Sequence, residues 1–163
     1  MRAMIPVTAV VALVVTLVTA TPGVAQDAQA RLWDAAMAGD TLAIRQALAD
    51  GGKIDSLDIR RNPNGRRALN WAAIYNKVPA IDVLLAAGAP IEAVNRTGFT
   101  ALNHAAEEGS LEAARALLSA GADPTHANNE GYTPAQTARE NGHEEVAALI
   151  DEAAARGEKP AQP

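Results

Sequence analysis

Cysteine is absent from this chain of 163 residues, which excludes a disulfide, a lipid-bearing cysteine and a thiolate nucleophile. Aromatic residues are scarce, with only Trp33, Trp71, Tyr75, Phe99 and Tyr132, so any core must be packed from aliphatic side chains and alanine. His104, His126 and His143 are the three histidines, each in a different setting and none paired at metal-ligand spacing. His104, following Asn103, reads as a packed helical residue. No Gly-x-Ser-x-Gly elbow or phosphate-cradling loop occurs. The acid pairs Glu107-Glu108 and Glu144-Glu145 are adjacent, so on a helix they diverge instead of converging on a substrate. The chain lacks the residues of an enzyme, and nothing in it asks for a cofactor or a metal. Basic residues are also in deficit, 14 Lys and Arg against 19 Asp and Glu for a formal charge of −5, which argues against a nucleic-acid partner.

The one long apolar run is at the start. Met1-Arg2 precedes a stretch from Ala3 to Ala20 rich in valine and leucine, closed by a helix-breaking Pro22-Gly23. One positive charge, an apolar core and small residues before a cut make a secretory signal. Gly23-Val24-Ala25 places cleavage after Ala25 and the mature start at Gln26, in the periplasm or outside the cell. The rival reading is an uncleaved membrane anchor of marginal length, weakened by Pro6, Thr8, Thr16 and Thr19. Contact with a membrane is expected only in that case.

A period organises the remainder. Gly65, Gly98 and Gly131 stand 33 residues apart, and Thr100-Ala-Leu-Asn-His-Ala-Ala106 is echoed by Arg67-Ala-Leu-Asn-Trp-Ala-Ala73 and by Thr133-Pro-Ala-Gln-Thr-Ala138. Leu84-Leu-Ala-Ala-Gly-Ala89 recurs as Leu117-Leu-Ser-Ala-Gly-Ala122. Thr133 and Gln136 form a capping box, of which Thr100 and Asn103 are a weaker version. Breaks at Asn76, Gly109 and Gly142 end the first helix of each unit, and Val78, Ile81, Leu84 and Leu85 lay an apolar stripe along the second. An earlier unit, Leu32 to Gly51, joins the series if four residues are inserted after it. Such a period means a stacked solenoid, all-α, of about four helix-turn-helix repeats with capping ends. The expected divisions are a signal peptide at 1–25, repeats at about 30–55, 62–94, 95–127 and 128–155 within a domain at 26–156, and a disordered tail at 157–163.

The turn glycine, the Thr-Pro-Leu-His-like run, Ala-Ala and Leu-Leu-x-x-Gly-Ala together resemble the ankyrin repeat, over roughly residues 30 to 155. The resemblance implies binding of another protein through the concave face and the turn tips, with no chemistry, by what is expected to be a monomer. The high alanine content and simple signal point to a small exported bacterial protein. Similarity of this kind leaves open protection of an exported enzyme such as a periplasmic catalase, inhibition of a periplasmic toxin as an immunity protein, or an envelope scaffold held by the N-terminal helix.

Two departures from the family pattern are individual. Amides, Asn70, Asn103 and Gln136, replace the usual histidine and are expected to hydrogen-bond across the turns. Arg67 replaces threonine, which removes a cap, beside a lengthened turn carrying Arg60, Arg61 and Arg66. Residues 53–67 hold five basic and two acidic groups, whereas 107–152 hold ten acids and two arginines, so the surface is expected to be polarised in a way that steers a partner. The basic finger nominates Arg60 and Arg61 as contact residues, and the resemblance to the family adds Arg66, Ile74, Tyr75, Arg96, Phe99, Glu107, Glu108 and Tyr132, with Pro63, Asn64, Thr97 and Glu130 beside them. If the basic finger is a free contact surface, reversing Arg60, Arg61 and Arg66 to Glu should weaken binding and leave the melting temperature almost unchanged.

Overall fold

A computed structural model describes residues 22–157, with side chains from Gln26 onward. The expected signal segment, apart from the backbone of 22–25, and the tail beyond Gly157 lie outside the described residues. Among the described residues there are eight helices: α1 (Pro22–Ala38), α2 (Thr41–Ala49), α3 (Ala68–Ile74), α4 (Val78–Ala86), α5 (Ala101–Glu107), α6 (Leu111–Ser119), α7 (Pro134–Glu140) and α8 (Glu144–Ala155). They pair as α1·α2, α3·α4, α5·α6 and α7·α8, giving four repeats. The first helices pack as a row α1–α3–α5–α7, and the second helices as a row α2–α4–α6–α8. Pro22 and Gly23 lie in the described part of α1.

Helices of seven residues, such as α3, α5 and α7, are too short to persist alone, so each is fixed by its caps and its packing. At α5 the box is complete: Thr100 Oγ1 accepts from Asn103 N at 3.2 Å, and Asn103 Oδ1 accepts from Thr100 N at 3.0 Å and from the Thr100 hydroxyl at 2.8 Å. It is fully buried, so the pair expected to be the weaker version is the better sheltered one, Gln136 being exposed. At α3 only half survives: Arg67 has no acceptor to offer, but Asn70 Oδ1 still accepts from Arg67 N at 2.8 Å. The lost threonine is replaced by a different device. The Arg67 guanidinium pairs with Asp55 and donates to Val94 O at 2.5 Å, tying the turns on either side of its repeat.

Asn76 takes the left-handed conformation, φ 54°, that Gly109 and Gly142 take in the later repeats, as asparagine tolerates better than other side chains. Its side chain is also used, since Asn76 Oδ1 accepts from Ala113 N at 2.7 Å in the next repeat. Ser110 Oγ reaches back to Ile74 O at 2.9 Å.

The core is narrow and continuous. Ala72, Ala73, Ala105 and Ala106 are fully buried between the first-row helices, whose close approach they permit, and Ile44, Ile81, Leu84, Leu102, Leu117 and Ile150 fill the space between the rows. At the last repeat α8 buries Val146, Ala147, Ile150 and Ala153 on one side and exposes Glu144, Glu145, Asp151 and Glu152 on the other, as a terminal helix with no further neighbour must. No helix among the described residues is long and apolar enough to cross a membrane.

Candidate functional site

The turns that lead into α3, α5 and α7 share one frame. Asn95 N donates to Phe99 O and Asn128 N to Tyr132 O, each at 3.0 Å. The side chain of each asparagine then pins the turn from inside: Asn95 Oδ1 accepts from Thr97 N and Phe99 N, and Asn128 Oδ1 from Glu130 N and Tyr132 N, all at 3.0 Å. In the earlier turn Asp58 holds this place. Asp58 N donates to Arg66 O at 2.7 Å, Arg66 N returns a bond to Asp58 O at 3.2 Å, and Asp58 Oδ1 accepts from Arg60 N at 3.0 Å. The closing residue is eight positions on (66 minus 58) where the other turns need four (99 minus 95). The four extra residues therefore lie inside the closed loop, as a finger formed by 59–65.

Asp58 is completely buried. Burial would raise its pKa, but Arg60 overrides this with bonds from its guanidinium (Nε to Oδ1 2.8 Å, Nη2 to Oδ2 3.0 Å), its backbone N–H and its charge, and the carboxyl is held below its ordinary range. The Trp71 indole N–H also faces this carboxylate and helps to lower it, without closing a normal hydrogen bond. Arg60 lies 4.7 Å over the Trp33 ring, and both Arg60 and Arg61 reach Asp34 of α1, at 3.3 and 3.2 Å. Trp33 Nε1 donates to Ser56 O at 3.1 Å. The finger is thus clasped to the first repeat. Its charges are already in use, so the expectation that reversing Arg60, Arg61 and Arg66 would spare the melting temperature does not hold: a glutamate at 60 would face Asp34 and Asp58.

The residue that closes each turn packs against a side chain five positions on in the first-row helix. Arg66 stacks on Trp71 (4.9 Å) and Phe99 on His104 (centroids 5.1 Å apart, tilted 37°), and Tyr132 and Thr137 occupy the same places at the end of the line. Trp71 stacks in turn on Tyr75, at 6.2 Å. The turn tips are also joined edge to edge. Arg96 N donates to Asn64 O at 3.0 Å and Asn129 N to Thr97 O at 3.1 Å, while Arg96 Nη1 donates to Pro63 O at 2.5 Å and Asn129 Nδ2 to Arg96 O at 3.1 Å. Gly98 lets the tips meet. A Cβ there would lie 2.4 Å from Asn129 Oδ1 and 2.7 Å from its backbone nitrogen, on a φ of +79°.

Between finger and second turn lies a polar pocket of about 270 Å³, lined by Asn62, Asn64, Arg66, Asn95, Thr97, Phe99, His104, Glu107 and Glu130. His104 forms its floor. Burial pushes this imidazole below its usual pKa, with the neighbouring Arg66 charge acting the same way against the pull of Glu107. Its two nitrogens face different partners: Nδ1 is 3.2 Å from Glu107 Oε2, a pure acceptor, and Nε2 is 3.5 Å from Asn95 Nδ2, a donor. The neutral ring with its proton on Nδ1 satisfies both. The bond from His104 is the main cause that holds Glu107 below the usual carboxylate range, and Arg66 adds to it. Among the described residues no cluster of three or more His, Asp or Glu could hold a metal.

Of the residues expected to make contacts, Arg66, Phe99 and Glu107 converge on the pocket, and Arg96 flanks it through Pro63 and Asn64. Arg60 and Arg61 turn away to α1. Ile74 is half-buried against the core, whereas Tyr75 is 50% exposed and Tyr132 37% exposed, and Glu108 is exposed on α5. Asn62, Asn95 and His104 complete the pocket without having been expected there. The 33-residue separation of Asn95 and Asn128 was a visible signal for the frame. Asp58, their counterpart, was hidden by the insertion and by the change from amide to acid. Of the three amides expected to bond across the turns, Asn103 does so, its Nδ2 reaching His126 O at 3.4 Å, whereas Asn70 and Gln136 accept from Arg67 N and Thr133 N within their own repeats.

No curated protein matches the chain. A family model described as ankyrin repeats (3 copies) matches residues 32–128, more than half of the sequence and nearly all of the first three helix pairs. With the helix pairs, the shared turn frame and that match in agreement, the chain belongs to the ankyrin-repeat family.

Proposed function

We propose that the chain is an exported, non-catalytic protein-binding module that engages its partner through the first-row helices and the turn tips. Ankyrin repeats suggest protein binding. The observation that carries the finer reading is the line of turn-closing residues, Arg66, Phe99 and Tyr132, with Tyr75 beside it. These positions differ in chemistry from repeat to repeat, on an identical hydrogen-bonded frame at Phe99 and Tyr132 and a lengthened one at Arg66. An exposed tyrosine near arginines has the composition of a binding hot spot. Export rests on the Met1-to-Ala25 pattern, and the partner is an exported enzyme to be protected or a toxin to be neutralised.

A second reading has an observation of its own. α1 runs without a break through Ala25 and Gln26, so a retained N-terminal segment would enter the first repeat directly and hold the array at a membrane. The mass of the protein recovered from its host decides between the two: a start at Gln26 supports export, and a retained Met1 in the membrane fraction supports the anchor.

The binding test is co-purification from native extract with the full chain, compared with a Tyr75→Ala, Tyr132→Ala double variant that keeps the same melting temperature. Retention of one protein by the parent and its loss with the variant is the expected result. Equal retention by both would move the interface off this face.

A further inference from the structure

Arg66 is the exception in the line of turn-closing residues. Where the next two turns place Phe99 and Tyr132, this one places a guanidinium, stacked 4.9 Å over Trp71. Arg31, Arg60, Arg61, Arg67, Arg115 and Arg139 all have a carboxylate partner. Among the described residues none lies within ion-pair distance of Arg66 or of neighbouring Arg96. The Arg66 Nε is shut off from solvent and makes no hydrogen bond. A half-buried cation is costly unless something meets it, and the stacking fixes its plane in advance.

We propose that the pocket beside Arg66 receives one acidic side chain, aspartate or glutamate, from a segment of the partner protein. This deepens the protein-binding reading and rests on it. The guanidinium is the main donor. Asn62 and Asn64, on the finger, and Thr97, on the second turn, bring further polar groups to the same pocket. Glu107 and Glu130 line the same pocket, and the Arg66 charge acts on Glu107 without closing an ion pair with it. Glu107 is engaged by His104, and with two carboxylates already in the lining the pocket would take one acidic side chain at Arg66 and disfavour a second. Charge-assisted bonds from arginine to a carboxylate are the stronger kind, and with two of them geometry is selected as well as charge.

The test uses blocked single residues as probes, so it does not depend on knowing the partner. N-acetyl-glutamate N-methylamide is titrated into the full chain and followed by the side-chain and backbone NMR signals of Arg66, Asn62, Asn64 and Thr97, with the glutamine and lysine analogues as controls. Saturable shifts at those residues with the glutamate probe alone are expected, weakened about tenfold in Arg66→Gln and strengthened about two- to threefold in Glu130→Gln, which removes a like charge from the lining. The second variant keeps the proposal falsifiable should the first not fold. Equal shifts with the glutamine probe, no localised shifts, or preference for the lysine probe would each overturn it, the last by showing that Glu107 and Glu130 govern the pocket. Overturned in this way, the acidic-residue proposal falls while co-purification of a partner lost with the tyrosine variant still stands.

Discussion

The turn at 58–67 and the turn at 95–100 do the same task by different means. In the second, an asparagine frames four residues and a threonine caps the helix, all with neutral groups. In the first, an aspartate frames eight residues with the help of Arg60, and Arg67 caps nothing but ties two turns together. Lengthening a loop carries only a small entropic cost, but the finger must be held if it is to present a defined surface, and ion pairs hold it. The neutral turn derives its order from local backbone geometry. The charged turn borrows its order from α1.

The largest break in that comparison is at Asp58. Asp58→Ala leaves the Arg60 guanidinium without its buried partner and opens the loop, and is expected to cost about 2–3 kcal/mol in urea unfolding. The equivalent Asn95→Ala, with no charge left behind, should cost less. Because the folded pKa of Asp58 lies below its unfolded value near 3.8, its contribution is complete above that pH and is lost as pH falls through the folded value. Acid unfolding monitored at pH 4 and below should therefore be blunted in Asp58→Asn. A step smaller is Thr100→Ala, expected to cost about 1–2 kcal/mol because a buried cap is removed and Asn103 loses a partner. Arg67→Thr tests the reverse: it restores the cap and severs the ties to Asp55 and Val94, so the net change should stay within about 0.5 kcal/mol.

His104 offers a comparison by pH. Trp71 holds its place one repeat earlier and does not titrate. The folded imidazole has its pKa below the ordinary 6.5, so the unfolded chain takes up the proton first and stability falls as pH drops from 6.5 towards the folded value, with no further loss from this group below it. His104→Gln should flatten that part of the stability profile. Smallest of all, deleting residues 59–62 together with Asp58→Asn, so that no buried carboxylate is left without Arg60, rebuilds a five-residue turn, Asn-Pro-Asn-Gly-Arg, on the pattern of Asn95 to Phe99. The loss of the exposed Arg60 and Arg61 pairs with Asp34 and of the stacking on Trp33 should nearly balance the shorter loop, leaving a net cost of about 0.5 kcal/mol or less and helicity intact.

Helix pairs, caps and core stripe were legible because each follows from residue type at a fixed offset: the turn glycines, Ala72-Ala73, Leu84 with Leu117. The residues expected to make contacts could be placed on the turns from the sequence, but not as neighbours of one another. Arg66, Phe99 and Glu107 are brought together by stacking of successive turns, a long-range relation that period alone does not express. The finger misled most. Counting charge over 53–67 gave a positive patch, yet Asp34, some two dozen residues upstream, neutralises part of it, and charge counted along a chain says little about charge paired in space.

The frame formed by Asn95 and Asn128, and by Asp58 in its altered form, holds the backbone through its own hydrogen bonds, so the residue closing each turn is not asked to hold anything. Phenylalanine and tyrosine stand there on one frame, and arginine on its lengthened form. On the protein-binding reading, positions 66, 99 and 132 would be exchangeable one at a time on a backbone already held, so that a change of partner would ask for single substitutions and not for a change of fold.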